Sequence, residues 1–156
     1  VIDADALTSF ENNPDELFVD TYPHTIFTPH EGEFRRLFGD NIASMNDKVL
    51  KCVEASKIAG SIVLLKGSDT VIANPKGEVV INFSKAPYLA TAGSGDVLAG
   101  IIASLVGKNK MNSFDAACAG AWIHSKLGEY LGPGLIAEDL VDNIPYIIKK
   151  LSNYEL

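Results

Sequence analysis

The sequence predicts an α/β fold in one domain, a sheet sandwiched between helices, and three observations predict it. Ile62–Leu65 is an unbroken apolar run, the pattern of a strand covered on both faces. Short segments with strand character, separated by Gly, Pro and polar turns, precede the Gly-rich stretch ATAGSGD at positions 90–96. Three helix-length periodic segments follow it. A sheet apolar on both faces needs helices on both sides, so a three-layer helix–sheet–helix sandwich is the expected architecture.

The elements follow in order. Val1–Asp5 reads as the end of a buried strand, Ala6–Phe10 as a short helix, and ENNPDE at 11–16 as a polar turn. Thr25–Thr28 is a short β segment stopped by Pro29. Glu31–Phe38 places Phe34, Leu37 and Phe38 on one helical face, with Gly39 as its stop. From Asn46 to Ala59, Val49, Cys52, Val53, Ser56 and Ala59 recur at helical spacing, and Gly60 is the expected C-cap. Ile62–Leu65, the strand after Gly67–Asp69 and Glu78–Phe83 form strand, hairpin and strand, with a Pro-Lys-Gly turn before the last. The three later helices span about 95–106, 113–130 and 136–151, with Ser113 as N-cap of the second and Pro145 kinking or restarting the third.

With 156 residues and a formal charge of −7, the chain has the size of one domain and an acidic balance. That charge argues against nucleic-acid and anionic-membrane partners, since no broad basic face exists to neutralise phosphates. The two cysteines, Cys52 and Cys118, lie among apolar helical positions and read as buried thiols of a reducing cytoplasm. Neither a charged-then-apolar leader nor an apolar run of membrane length is visible in residues 1–156. The opening VIDADAL is a strand end without a lead-in, so the chain is expected to be a piece of a longer domain.

The Gly-rich loop carries the strongest chemical signal. A helix start offers unpaired N–H groups and the positive end of the macrodipole, which together attract phosphate. Ala92, Gly93, Ser94 and Gly95 are the candidate anion seat, with Ser94 able to add a hydroxyl. Asp96 falls in the first turn, beside any bound phosphate, where a carboxylate can take a proton from an attacking hydroxyl. The same residues also make a plain turn into a helix with a favourable acid at its start, and the loop alone leaves both readings open. It lacks the Lys-Ser/Thr ending of a P-loop and does not open a βαβ unit as a dinucleotide fingerprint does.

Its neighbours sharpen the reading. VIDADAL, FTPHEGEFRRLFG, VLLKGSDTVIA, LATAGSGDVLAGIIASL and GLIAEDLVDNIP occur in this order, from Val1 to about Pro145. Together they resemble the carbohydrate-kinase-like family of ADP- or ATP-dependent NAD(P)H-hydrate dehydratases, of the ribokinase-like superfamily. The match corresponds to the carboxy-terminal portion of that family's single domain, so residues 1–156 are expected to be a partial ribokinase-like sandwich.

The resemblance implies a repair reaction. Hydrated NADH or NADPH carries an extra hydroxyl on its reduced ring; ADP or ATP phosphorylates it, and loss of phosphate restores the double bond. Asp96 is then the base toward that hydroxyl, and His30 joins it in contacting the hydrated nucleotide. Lys66, Gly67, Ser68, Asp69, Thr70 and Gly95 become contacts of the adenine nucleotide. Without the motif, His30 reads as a solvated side chain and KGSDT as an ordinary hairpin turn. Glu33 is placed to orient His30 or to help hold a metal. Asp3 and Asp5 alternate at a strand end and either cap the next turn or wall the site against a magnesium-bound phosphate or a ribose. Mg2+ is the implied cofactor, its ligands undetermined. A functionally linked NAD(P)HX epimerase is the implied partner, and the apolar helices and the missing layer favour self-association as a homo-oligomer, a tetramer or larger.

One stretch departs from the family pattern. Where relatives commonly carry His-Gly-x-Ala-Gly-Asp, this chain has HSKLGE at 124–129, with Ser125 for a Gly and Glu129 for the Asp. Two rivals are carried: a ribokinase-like kinase of a small vitamin precursor, using the same seat and base, and a non-catalytic fragment that packs against sister copies.

Overall fold

The computed structural model describes residues 1–152. Its four-stranded sheet has the order β1 (Ile26–Phe27), β2 (Ile62–Leu65), β3 (Asp69–Ala73), β4 (Val79–Phe83). β1 and β2 are parallel, with Ile26 beside Ile62, whereas β2–β3 and β3–β4 are antiparallel. Ile2 adds one parallel bridge to Phe27. The expected strand end over Val1–Asp5 is therefore a single bridge, and Asp5 already opens helix α1 (Asp5–Thr8).

Alternation along the strands divides the core in two. Phe27, Val63, Leu65, Val71 and Ala73 point to one face and pack on Phe34, Leu37 and Phe38 of α3 (Glu31–Ala43) and Cys52, Ala55 and Ala59 of α4 (Lys48–Ala59). Ile26, Ile62, Leu64 and Ile72 point to the other and pack on Leu98 and Ile102 of α5 (Ser94–Gly107) and Ala117 and Ala121 of α6 (Ser113–Leu131). All four β2 residues are buried, as the unbroken apolar run requires, and each such aliphatic side chain stabilises the fold by about 1.5–3 kcal/mol. α7 (Ala137–Ser152) closes a third cluster over α5 and α6 through Leu140 and Ile147. A Cβ at Gly120 would stand 2.5 Å from Ile102 Cγ1, so α5 and α6 approach as closely as a glycine allows.

Several local expectations are corrected. The polar stretch ENNPDE is not a plain turn: Pro14 takes the first position of α2 (Pro14–Val19), where its missing N–H costs nothing. Asn112, not Ser113, caps α6, its side chain accepting from Phe114 N at 2.9 Å. Gly39 does break the helix, with φ 75°, but one more turn carries α3 to Ala43. α7 does not restart at Pro145; it runs as one helix with the proline inside it. Both cysteines are free. Cys52 is fully buried with its thiol pushed up to about 12 by that burial, while Cys118 is half-buried, its thiol raised to about 11.

Candidate active site

Ile2, β1 and β2 run in one direction, so the residues after each meet at one sheet edge: Asp3, then Thr28 to His30, then Lys66. Backbone pairing fixes this convergence, Lys66 N donating to Pro29 O at 2.9 Å. The Lys66 ammonium stands 2.9 Å from Asp3 Oδ1 and 3.8 Å from Glu33 Oε2, and both carboxylates are largely buried. Two acids around one cation leave a local excess of one negative charge behind the lysine.

Glu33 also orients His30. The His30 backbone N–H donates to Glu33 Oε2 at 2.8 Å, and His30 Nδ1 accepts from Gly32 N at 2.9 Å and Glu33 N at 3.3 Å. This reciprocal arrangement starts α3 and commits Nδ1 as an acceptor, so the neutral ring carries its proton on Nε2. The ring remains half exposed, with Nε2 3.5 Å from Glu33 Oε1.

At the start of α5, Gly93 adopts a left-handed conformation (φ 79°) and no side chain caps the helix. Ser94 N donates to Thr91 O at 3.3 Å, but among the described residues the N–H groups of Ala92, Gly93, Gly95 and Asp96 meet no carbonyl. Ser94 turns inward, 2% exposed, with Oγ 2.9 Å from His124 Nε2 of α6. Burial lowers His124 to about 4, so the ring is neutral near pH 7. A Cβ at Gly95 would lie 3.3 Å from Lys66 Nζ and 3.8 Å from Asp3 Oδ2, and only a bare backbone lets the amide and the ammonium share that space. Asp96 is exposed, and its carboxylate has no hydrogen-bond or ion-pair partner among the described residues.

Opposite lies the β2–β3 turn. Thr70 Oγ1 bonds both Gly67 N and Gly67 O, and Lys48 Nζ donates to Asp69 O and Oδ1, each at 2.8 Å. The Lys48 hydrogen bond holds the Asp69 carboxyl below its usual range. Between this turn and α5 opens a cleft of about 590 Å³, a size suited to a small-molecule ligand.

His30, Lys66, Gly67, Ser68, Thr70, Ser94 and Gly95 all line that cleft. Asp3 and Glu33 stand behind Lys66, and Asp69 is turned toward Lys48. Ala92, Gly93 and Asp96 are exposed beside the Gly95 wall without lining the cleft. Asp5 belongs to α1, where its carbonyl accepts from the Thr8 and Ser9 hydroxyls. The sequence reading missed Lys48 and His124. A lysine in a helix's first turn, opposed by the macrodipole, and a histidine inside an apolar helix were the available signals. It also missed the apolar wall around the 3-10 turn Pro87–Leu89.

The departing stretch holds that wall. A Cβ at Gly128 would come within 2.6 Å of Leu89 Cγ, Ser125 Oγ accepts from Asn82 Nδ2 at 2.7 Å, and Glu129 pairs with Lys126 and accepts from Lys85 N. Among the described residues no three His, Cys, Asp or Glu side chains cluster to hold a metal ion. No described helix is long and apolar enough to cross a membrane.

Residues 1–149 match the family model described as NAD(P)H-hydrate dehydratase. The chain is 40% identical, over 97% of its length, to the bifunctional NAD(P)H-hydrate repair enzyme Nnr of Moorella thermoacetica, covering 29% of that protein. It is 39% identical, over 84%, to the ADP-dependent (S)-NAD(P)H-hydrate dehydratase of Neisseria meningitidis, covering 45% of it. Among solved structures, a ribokinase-like superfamily protein of Enterococcus faecalis aligns with a TM-score of 0.79 at 26% identity, over 95% of this chain and 51% of that one. The ADP/ATP-dependent NAD(P)H-hydrate dehydratase of Bacillus subtilis, crystallised with ATP and Mg2+ and soaked with CoA, aligns at 0.72 and 28%, over 80% and 48%. The chain thus spans between about a third and a half of these relatives.

Proposed function

This chain belongs to the NAD(P)H-hydrate dehydratase family, and from that premise we propose that the protein carrying it repairs hydrated NADH and NADPH at the expense of ADP or ATP. The observation that carries the proposal is the start of α5: four amides without a carbonyl partner and the unpaired Asp96 in one turn, with Lys66 alongside.

The chemistry follows from that arrangement. Phosphoryl transfer asks for positioning and charge stabilisation more than for covalent participation. The open amides and Lys66 receive the negative oxygens of the phosphoryl group, while the Gly67–Thr70 turn holds the nucleotide. Asp96 accepts the proton of the ring hydroxyl as its oxygen bonds to phosphorus and the bond to the departing AMP or ADP breaks. Phosphate then leaves with the C–O bonding electrons, a proton is lost from the adjacent carbon, and the ring double bond returns. His30, its ring fixed by Glu33, offers Nε2–H to the nicotinamide nucleotide.

Magnesium fits as a companion of the phosphates rather than as an ion in a protein cage, because Lys66 already neutralises part of the Asp3–Glu33 charge. Bound there, it would screen phosphate charge. The chain is read as the carboxy-terminal portion of one ribokinase-like domain, the rest completing the dinucleotide site. A cytoplasmic homo-oligomer accords with two free cysteines and with the exposed apolar Ile81 and Phe83 on edge strand β4. The bifunctional names of relatives support a linked NAD(P)HX epimerase. Vitamin-precursor phosphorylation is not favoured, since the family match points to the dehydratase.

The test gives the intact protein hydrated NADH, magnesium and either ADP or ATP, and follows the near-ultraviolet absorbance of the reduced ring. Recovery with one nucleotide names the donor, and Asp96→Ala should slow it about a thousandfold. Absence of recovery with both nucleotides overturns the proposal.

A further inference from the structure

We propose that the Ser94–His124 pair is a positioning device: through one buried hydrogen bond it fixes the first turn of α5, and with it the Gly95 and Asp96 amides and the Asp96 carboxylate. This inference rests on the reading above; it gives His124 a role and turns Ser94 from a hydroxyl donor in the anion seat into an anchor of that seat. Both residues line the cleft, and the role assigned to them acts through the backbone of the turn they hold.

Three features require such a device. Ser94 lies between two glycines, Gly93 and Gly95, so the turn has little side-chain bulk of its own to hold it. α3, α4 and α6 are each capped by the side chain just before them (His30, Asp47 and Asn112), whereas Gly93 offers α5 none. The turn also has to lie close to its neighbours as bare backbone: a Cβ at Gly93 would be 3.0 Å from Ala137 Cβ on α7, and one at Gly95 would be 3.3 Å from Lys66 Nζ.

The pair supplies the missing anchor. Ser94 Oγ and His124 Nε2 are 2.9 Å apart, both residues are buried, and 30 positions of sequence separate them, so the bond ties the start of α5 to the middle of α6. Neutral imidazole can accept the Ser94 proton, and with its burial the ring stays neutral near pH 7. Whichever of the two donates, the bond holds Ser94 Oγ against the ring, and Ser94 serves the anion seat by placing its neighbours.

The experiment uses the intact protein as wild type, Ser94→Ala, His124→Leu, the double variant, and His124→Gln, whose amide keeps a hydrogen-bonding atom near the Nε2 position. With ADP and hydrated NADH, kcat should fall between about ten- and a hundredfold in each of the first two, with KM for ADP within about twofold. The double variant should be no worse than the poorer single, and His124→Gln should regain most of the loss. Multiplying losses, or a rise in KM at unchanged kcat, would overturn the proposal. A second readout is independent of turnover: the NMR response of the Gly95 and Asp96 amides to ADP. It should weaken in His124→Leu and stay as in wild type in His124→Gln; an undiminished response in His124→Leu also overturns the proposal. Failure of the wild type to turn over hydrated NADH would sink the reaction assigned above, while the amide response would still decide the role of the pair.

Discussion

α5 and α6 pack side by side, yet they begin in opposite ways. α6 starts on Asn112, whose side chain accepts from Phe114 N at 2.9 Å. α5 starts on a left-handed glycine with no side-chain cap and an exposed first turn. Every helix faces the same problem of N–H groups without internal partners. α6 solves it locally, for stability, about 18 Å along its axis from His124. α5 leaves the amides open where the strands end and holds the turn from outside, through that same histidine. A helix start that closes on itself serves the fold, and one that stays open while being held from elsewhere is what the proposed phosphate seat needs.

The largest effect on stability that separates the two starts is acid. His124 titrates at about 4 when folded and near 6.5 when unfolded. Above pH 6.5 both states are neutral and the contribution is constant. As pH falls toward 4 the unfolded chain takes up the proton first, so stability is progressively lost, by about 3 kcal/mol once both are protonated. Urea denaturation at pH 7 and pH 4 should show wild type losing that much more than His124→Gln. Equal losses would mean that the anchor of α5 carries no such linkage.

A smaller effect comes from two glycines of the same backbone hand. Gly93, at the start of α5, has φ 79°, and Gly60, at the end of α4, has φ 60°. Alanine at either pays about 1–2 kcal/mol for the left-handed conformation. Only Gly93→Ala also meets a neighbour, since Gly60 has nothing within 4 Å of a new Cβ. Gly93→Ala should therefore cost more in stability and weaken ADP affinity several-fold, while Gly60→Ala leaves the affinity unchanged. Calorimetric titration with ADP separates them, and matching affinities would show that the open turn tolerates displacement.

How much of this was legible differs between the same two helices. The layers were, because Ile62–Leu65 suggests a strand covered on both faces and the periodic helices that follow can cover it. The open start was legible only in part, since Gly-Ser-Gly-Asp before an apolar run suits a plain turn as well as an anion seat, and the neighbouring motifs favoured the seat. Its anchor was not. The hydrogen bond between Ser94 and His124 spans 30 residues, and a single histidine in an apolar helix does not say which hydroxyl it will meet. The same holds for Lys48, whose partner Asp69 is brought near only when α4 packs across β2 and β3. The cap of α6 was misplaced by one residue because Asn112 and Ser113 both suit the position, and backbone geometry alone chooses between them.

The smallest effect is the control that the comparison needs. Asn112→Ala removes the accepting oxygen from Phe114 N and leaves that amide to solvent, which should destabilise the protein by about 1 kcal/mol. For a chain of this size that lowers Tm by a few degrees. The change is far from Lys66, Gly95 and Asp96, and nothing in it alters the His124 ring, so ADP affinity should stay within experimental error of wild type. An affinity loss comparable to that of Gly93→Ala would mean that the two helix starts are coupled through α6, and that the open turn of α5 is held by the whole helix rather than by one imidazole. Unchanged affinity with the lowered Tm would separate the two starts as stability on one side and ligand placement on the other.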